Sequence, residues 1–247
     1  MKIGITERGD AGIDLSWTNK AQNMDVSILI TKNITNKFLE NVRKLQETNN
    51  LIIHATCTGW GGTYMEPHVP SYEKQLTQLK KLTEFFPKSQ CVLRIDPIIP
   101  TTKGLRCVQL VLDKACDLGL MPMRVRVSIV DEYRHVKERL AKTNRKPIYD
   151  QDRKYPNRTE TQAVKALLES YKNFQFETCA ETYLIGQNIE HTGCVSKKDL
   201  DIFGLITENI NVNPQQRTGC LCLTGKTEML ENKHRCPHKC LYCYWRD

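Results

Sequence analysis

The stretch from Leu51 to Ile95 predicts the fold. It begins with the apolar run LIIHA (Leu51–Ala55) and ends with a second apolar run, CVLRI (Cys91–Ile95). Between them, residues 72–86 repeat apolar side chains at the spacing of an amphipathic helix, and Ser71 stands in the position of a helix cap. A strand, a helix and a second strand in this order form a βαβ unit with parallel strands.

The same alternation continues on both sides of this unit. Four more runs have the length and the flanking residues of strands: Lys2–Ile5, Asp25–Ile30, Arg124–Val130 and Phe174–Thr178. Helical patterns occupy residues 36–47, 104–118, 131–142, 159–172, 181–188 and 197–208. About six strands joined by helices predict an α/β protein, and we expect a partial (βα)6 TIM-like barrel. The alternative is a doubly wound open sheet.

Composition and length limit the classes to which the chain can belong. Its 247 residues are 40% hydrophobic and 26% charged, which is typical of a folded soluble protein and excludes a disordered or collagen-like chain. No apolar run approaches the roughly 18–20 residues of a membrane span, and the N-terminus lacks a secretory signal. We therefore expect a cytoplasmic protein with no membrane role, divided into an α/β domain (1–210) and a Cys-rich segment (211–247).

The cysteines are concentrated near the C-terminus, where five of the eleven fall in the last 28 residues. Cys236, Cys240 and Cys243 lie within eight residues, so their thiolates can bind a single metal centre without a long loop closure. Zinc ribbons use two C-x2-C pairs instead, and a triplet leaves one iron of a 4Fe–4S cluster open. The alternative for this triplet is a structural zinc ion with His234 or His238 as the fourth ligand.

Two further cysteines precede the triplet, in the sequence Cys220-x-Cys222. They could bind a second metal, complete the first site or form a redox pair. Cys57 and Cys179 lie at predicted strand ends, where a site role is open, whereas the apolar surroundings of Cys91, Cys107 and Cys116 favour core packing.

The triplet resembles the CxxxCxΦC signature of radical S-adenosylmethionine (SAM) enzymes, with Tyr242 as the aromatic residue Φ. This resemblance implies that Cys236, Cys240 and Cys243 hold a 4Fe–4S cluster, that SAM binds the open iron, and that Tyr242 lies near the adenine. Two features depart from that family, whose signature follows the first strand and precedes a helix. Here the signature ends the chain, and four residues follow Cys243.

Nearly the whole chain resembles the uncharacterised family DUF1848, which joins a barrel-like body to a C-terminal radical-SAM-like cysteine cluster. The matching stretches are Arg8-x-Asp10, TGWGG (58–62), EPHVP (66–70), RIDPII (94–99), CAE (179–181), Gln216-Arg217-x2-Cys220-x-Cys222 and CPHKCLYCY (236–244). Ile95 replaces the family's usual Tyr, and Lys239 replaces its usual Gly. The resemblance implies an iron–sulfur protein of radical-SAM type without indicating a substrate.

Gly61, Gly62 and Glu66 are candidate cofactor-binding residues together with Tyr242. Two adjacent glycines after a strand allow the backbone to approach a ligand closely. Radical SAM enzymes hold the SAM amino group with a Gly-Gly-Glu-like segment, although Glu66 here stands four residues after Gly62. An ordinary Gly-rich turn is the alternative.

Arg94, Asp96 and Glu181 are the candidate catalytic residues, because each lies at or just beyond the end of a predicted strand. Arg94 and Asp96 are two residues apart, so both side chains point to the same side of their strand. A charged pair inside a barrel is costly to bury unless it is paired or bound to a ligand. A structural salt bridge is the alternative, and Arg8 and Asp10 are weaker candidates.

Most of the excess positive charge is local. The chain has a formal charge of +8, and residues 121–158 hold 11 Lys or Arg against 5 Asp or Glu. Tyr149 and Tyr155 lie among these cations, a combination that can bind phosphates and stack on bases. A nucleotide or nucleic-acid substrate is one interpretation of this stretch, and a solvated surface is the other.

These patterns favour a radical-SAM-like enzyme that generates a 5′-deoxyadenosyl radical and acts on an unidentified substrate. Such an enzyme needs a 4Fe–4S cluster, SAM and an electron donor as its partners. Two alternatives of other classes remain. One is a zinc-stabilised nucleic-acid-binding module without catalysis, and the other is an iron–sulfur redox protein that does not use SAM.

Overall fold

The computed structural model describes residues 1–150, 152–205, 211–212, 219–231 and 235–245. Within these ranges the chain forms one sheet of eight parallel strands, in the spatial order β7-β6-β5-β4-β3-β2-β1-β8. The strands are β1 (Ile3–Ile5), β2 (Val26–Thr31), β3 (Leu51–Thr56), β4 (Cys91–Ile98), β5 (Arg124–Ile129), β6 (Gln175–Thr178), β7 (Ile189–His191) and β8 (Lys226–Glu228). Neighbouring strands follow chain order, and β8 lies beside β1.

Seven α-helices lie in the described part of the chain. They are α1 (Trp17–Ala21), α2 (Asn36–Leu45), α3 (Tyr72–Leu82), α4 (Thr102–Asp117), α5 (Arg134–Lys142), α6 (Arg158–Ser170) and α7 (Lys197–Asp201). Helices α1 to α4 and α6 bury their apolar residues in one cluster with one face of the sheet, which includes Leu29, Ile53 and Leu93. From β1 to β7 the strands follow one another in chain order, and these helices lie on one face of the sheet. A doubly wound sheet differs, because its strand order reverses and its helices lie on both faces.

The other face of the sheet is half apolar and half ionic. Beside the first four strands, Val195 and Leu200 pack on strand residues such as Ile28. Beside β5 and β6, Arg126 is 1% exposed and pairs with Glu177, while Arg124 lies 2.8 Å from the carboxylate of Asp199. Buried charges of this kind are stable only when paired. The segment after β7, which carries Asp199, is therefore fixed against the sheet.

All six predicted strands are confirmed, but the predicted count was too low. The helix predicted over 181–188 is wrong, because only a short 3₁₀ turn (Thr182–Leu184) forms there, and strand β7 follows it. Strands β7 (IEH) and β8 (KTE) have three residues each and contain one apolar residue between them, so neither shows the apolar pattern by which the equally short β1 was predicted. Helix α7 ends at Asp201, and residues 206–208 of the predicted helix lie outside the described residues.

Strand β8 lies C-terminal to the predicted domain boundary at 210/211 and pairs with β1, in the register Ile3 to Lys226. The Cys-rich segment thus contributes a strand to the same sheet. In the described ranges no helix is both long and apolar enough to cross a membrane.

Candidate functional site

A cavity lies beyond the carboxyl ends of the strands, where parallel α/β folds place their chemistry. Its volume is about 240 Å³, measured as the space open to the centre of a water molecule. Residues near the carboxyl end of β4 and just after β1, β2 and β5 line it, among them Asp96, Arg8, Lys32 and Asp131. Seven cysteines line it as well: Cys179, Cys194, Cys220, Cys222, Cys236, Cys240 and Cys243. All eleven cysteines of the chain are free thiols.

Four of these thiols form one group, which we call the four-thiol cluster: Cys179, Cys194, Cys220 and Cys222. The sulfur of Cys179 lies 3.6 Å from the sulfurs of both Cys220 and Cys222. The sulfurs of Cys179, Cys194 and Cys222 all lie within 4.8 Å of one another, so these three residues could hold a metal ion. Hydrogen bonds shared with Cys179 lower the pKa of Cys220 and of Cys222, which favours their thiolate forms.

The four-thiol cluster is assembled from three separate segments. Cys179 follows β6 directly, Cys194 follows β7, and Cys220 and Cys222 precede β8. Sequence reasoning left the roles of Cys179, Cys220 and Cys222 open and gave Cys194 no role. Cys194 has no neighbouring cysteine in the sequence, so spacing could not have indicated it.

We call Cys236, Cys240 and Cys243 the C-terminal triplet. Cys240 is 6% exposed, and the other two are half-buried at the cavity. Burial raises the pKa of Cys236 to about 11. In the described part of the chain, the triplet sulfurs do not form a group as close as that of Cys179, Cys194 and Cys222.

The loop that carries the triplet is fixed by His238. The His238 ring contacts the Asp10 carboxylate at 2.7 Å through Nε2 and the carbonyl of His68 at 3.0 Å through Nδ1. Asp10 also accepts hydrogen bonds from Thr31 and from the backbone N–H of Lys32. Both ring nitrogens of His238 are therefore engaged, which disfavours His238 as a zinc ligand. His234, the other candidate, lies outside the described residues.

Tyr242 forms a second anchor of the same loop. Its hydroxyl donates to Oε1 of Glu66. The ammonium group of Lys32 lies 2.8 Å from that same Glu66 oxygen and 2.8 Å from the Tyr242 hydroxyl oxygen. Burial opposes the charged form of Lys32, but the Glu66 carboxylate outweighs it, so the pKa of Lys32 is raised. The structure thus brings together Glu66 and Tyr242, two of the four predicted cofactor-binding residues.

Gly61 and Gly62 shape the turn that presents Glu66. A Cβ atom on Gly61 would lie 1.8 Å from the carbonyl oxygen of Pro70, and Gly62 has a φ of +75°. The N–H of Gly62 donates to the Glu66 carbonyl at 3.1 Å. Neither glycine lines the cavity. This geometry is that of a tight turn, which was the alternative interpretation of these residues.

The three predicted catalytic residues occupy two environments. Arg94 and Asp96 both line the cavity and form an ion pair. Glu181 is buried outside the lining, where it accepts hydrogen bonds from Ser128 at 2.9 Å and Thr178 at 3.1 Å. Ser128 lines the cavity, so Glu181 is linked to the cavity through its hydrogen bond with the Ser128 hydroxyl.

The whole arrangement can be compared with known proteins. The sequence profile of a family described as a domain of unknown function, DUF1848, matches residues 15–245. The chain belongs to the DUF1848 family. No curated protein matches the sequence.

The backbone of the triplet loop has an unusual conformation at Lys239, whose φ is +53°. This left-handed region favours glycine, because a Cβ atom approaches the following carbonyl there. The loop of the triplet therefore adopts at Lys239 a conformation suited to glycine.

The basic stretch of this DUF1848 member reaches the mouth of the cavity. The ammonium group of Lys154 lies 3.9 Å from the ring centroid of Tyr133, a cavity-lining residue, and 4.9 Å from that of Tyr155. Tyr155 is exposed, whereas Tyr149 is buried and donates its hydroxyl to the carbonyl of Val130. Tyr149 is thus a core residue and is not available for stacking on a base.

Proposed function

We propose that this DUF1848 member is a radical-SAM-type iron–sulfur enzyme whose reaction takes place at the carboxyl end of a TIM-like barrel. One observation carries the proposal. The three cysteines of the C-terminal triplet, which has the spacing of the radical SAM signature, line the cavity at the carboxyl ends of the strands. In this position a cofactor bound by the triplet would meet a substrate held by the strand ends.

The donor set fits a 4Fe–4S cluster with one open iron. Cys236, Cys240 and Cys243 supply three thiol ligands from one short loop, while the other cavity thiols are engaged with one another in the four-thiol cluster. When bound, the cluster and SAM supply a 5′-deoxyadenosyl radical, which abstracts a hydrogen atom from the substrate.

Residues of the chain position this chemistry. His238 and Tyr242 fix the loop from both sides of Cys240, and Lys32 and Glu66 hold the Tyr242 hydroxyl. Helix α5 covers the loop from outside, with Leu140 packed in the same apolar cluster as Cys240. The loop is therefore held before any cofactor binds, which reduces the entropy cost of binding.

Arg94 and Asp96 orient the polar groups of SAM or substrate from the floor of the cavity. Arg94 and Asp96 neutralise each other's charge. A zwitterionic ligand could pair its carboxylate with Arg94 and its ammonium group with Asp96, so that no buried charge is left unpaired. Glu181 holds the hydroxyl of Ser128 at the cavity wall and is a positioning residue.

The contacts between the sheet edges support the barrel. Strands β7 and β8 are the two edges of the sheet, yet the chain segments beside them meet. The N–H of Leu223 donates to the carbonyl of Val195 at 2.9 Å, and the His191 ring lies 2.9 Å from the carbonyl of Gly219. Contacts of this kind are those expected if the parallel sheet, with helices on one face, closes into a barrel.

A nucleotide or a nucleic acid is the substrate class that the cavity mouth favours. Lys154 and the exposed ring of Tyr155 lie beside Tyr133, a member of the cavity lining, and can contact phosphate and base respectively. We place the protein in the cytoplasm, where free thiols stay reduced, and expect an electron donor there.

Anaerobic purification followed by metal analysis tests the proposed function. We expect about four iron and four sulfide per chain in a fully loaded protein, and 5′-deoxyadenosine after addition of SAM and a strong reductant. A loaded cluster that yields no 5′-deoxyadenosine with several reductants would support the SAM-independent redox protein. Absence of iron and sulfide after anaerobic reconstitution would support the zinc-stabilised binding module.

A further inference from the structure

We propose that the four-thiol cluster binds a single zinc ion, held by Cys179, Cys194, Cys220 and Cys222. This zinc ion is distinct from the 4Fe–4S cluster proposed for the C-terminal triplet. The zinc proposal does not depend on the proposed radical-SAM function.

The spacing of the sulfurs indicates one ion. Four thiolates around one zinc ion lie about 3.8 Å apart, because each Zn–S bond is about 2.3 Å and the geometry is tetrahedral. Around a 4Fe–4S cluster the cysteine sulfurs lie roughly 6 Å apart, since four irons separate them. The observed separations of Cys179 from Cys220 and Cys222 are both 3.6 Å. They match a mononuclear site and are far too short for a cluster.

Four cysteine donors with no open position make a closed, structural site. The sulfurs of Cys179, Cys194 and Cys222 lie within 4.8 Å of one another, and Cys220, which lies outside that group, contacts Cys179 at 3.6 Å and would move towards the other sulfurs on binding the ion. Backbone N–H groups point at two of the sulfurs. The N–H of Cys194 lies 3.2 Å from the sulfur of Cys222, and the N–H of Cys222 lies 3.4 Å from that of Cys220. Such donors stabilise thiolates and orient them as metal ligands.

The location of the cluster gives the zinc ion a structural purpose. Cys194 follows β7 and Cys220 and Cys222 precede β8, the two edge strands of the sheet, while Cys179 follows β6, the neighbour of β7. No ladder joins β7 to β8 in the described residues. An ion bound by all three segments would connect these two edges, next to the hydrogen bond from Leu223 to Val195. The zinc ion would therefore link β7 to β8 where no strand pairing does so in the described residues.

X-ray absorption at the zinc edge on the purified full-length protein tests the coordination directly. We expect one zinc per chain with four sulfur ligands at about 2.3 Å. The Cys220→Ser variant should replace one sulfur with a lighter ligand or lose the ion, and Cys116→Ser, which changes an exposed thiol outside the cavity, should change nothing. Cobalt substitution of the wild-type protein should give the intense visible bands of tetrahedral thiolate cobalt.

The Cys240→Ala variant separates this proposal from the proposed function. It should keep its zinc with four sulfur ligands while losing iron, so either proposal can fail without the other. Loss of zinc on chelation should lower the melting temperature by roughly 10 °C. Iron and sulfide that persist in Cys240→Ala but are lost in Cys222→Ser would overturn the zinc proposal. So would wild-type protein that, after zinc addition, binds none with sulfur ligands.

Discussion

The two thiol groups share one cavity but are built in opposite ways. The C-terminal triplet lies within eight residues of sequence, and polar contacts from His238 and Tyr242 fix its loop. The four-thiol cluster joins three segments between residues 179 and 222, and its sulfurs approach to 3.6 Å. A triplet within one short loop can lose a thiol without disturbing the sheet, whereas a metal ion bound by the four-thiol cluster would connect three segments of the fold. Loss of the first should therefore affect activity, and loss of the second should affect stability.

The largest effect that we expect is that of Cys240→Ala on activity. Removing the central thiol of the triplet leaves two ligands in the loop, which are too few to hold a 4Fe–4S cluster. Iron content and 5′-deoxyadenosine formation should both fall to background. The melting temperature should change by only a few degrees, because the four-thiol cluster and the sheet remain.

Cys57→Ala is the matched control, since Cys57 is a buried thiol outside the cavity lining. It should retain iron and SAM cleavage while losing some stability to the cavity it creates. If Cys240→Ala unfolded the protein more than Cys57→Ala does, the triplet would be a structural site and the distinction between the two groups would fail.

His238→Ala should weaken the C-terminal triplet without unfolding the sheet. The substitution removes the contacts with Asp10 and the His68 carbonyl and leaves the buried Asp10 carboxylate short of one partner, a cost of about 1–3 kcal/mol. We expect severalfold less iron per chain after reconstitution, with zinc unchanged. Metal analysis of the same sample measures both.

His238→Gln provides the comparison, because its amide can still donate to Asp10. Partial recovery of iron loading in this variant would show that the contact positions the loop. Equal loading of His238→Ala and wild-type protein would mean that the loop forms without this anchor.

The charged groups around Asp199, on the face of the sheet opposite helices α1 to α4, should make stability depend on pH, and His54 lies 3.9 Å from the Asp199 carboxylate. Burial lowers the pKa of His54 to about 4, and its ordinary value when unfolded is about 6.5. The unfolded state therefore binds more protons in this range, and stability is lost as the pH falls from about 6.5 to about 4. The loss amounts to at most about 1.4 kcal/mol per pH unit. Asp199, whose pKa is lowered because Arg126 outweighs the effect of burial, adds a loss only below about pH 4.

Denaturant unfolding of wild-type protein and His54→Leu at pH 7 and pH 5 measures this contribution. The variant, which has no group to titrate at this position, should lose less stability between the two values. An identical loss in both proteins would assign the acid sensitivity to other groups, such as the thiolates of the four-thiol cluster.

The smallest effect concerns the backbone of the triplet loop. Lys239→Gly should raise the free energy of unfolding by about 0.5 kcal/mol, because glycine adopts the observed positive φ without steric cost. Asn144→Gly is the control, since Asn144, two residues after the end of α5, has a φ of +54° but tolerates this region better than Lys does. A loss of stability in Lys239→Gly would show that the lysine side chain contributes more than the strained backbone costs.

Sequence patterns predicted the apolar strands, including the short β1, and missed β7 and β8, which are short and mostly polar. Strands such as Leu51–Thr56 and Arg124–Ile129 are apolar, bounded by polar residues, and separated by helices with clear apolar faces. Strands β7 and β8 have only three residues each, and β7 reads IEH. Their place in the sheet comes from pairing with β6 and β1, which no local pattern encodes.

The candidate site shows the same division. Spacing alone singled out Cys236, Cys240 and Cys243, and strand-end reasoning singled out Arg94 and Asp96, all of which line the cavity. Glu181 follows a strand in the same way, yet its side chain is buried behind Ser128. A strand end fixes where a residue lies, but the packing around it decides whether the side chain reaches the cavity.

The sequence by itself determined a parallel α/β sheet and a C-terminal cysteine triplet, because both depend on side-chain patterns within short stretches. Only the tertiary structure decided that Cys194 joins Cys179, Cys220 and Cys222, and that Glu66 meets Tyr242 across 176 residues. Such contacts depend on how the strands are ordered around the sheet. Side chains distant in sequence become neighbours when the carboxyl ends of parallel strands meet at one end of the fold.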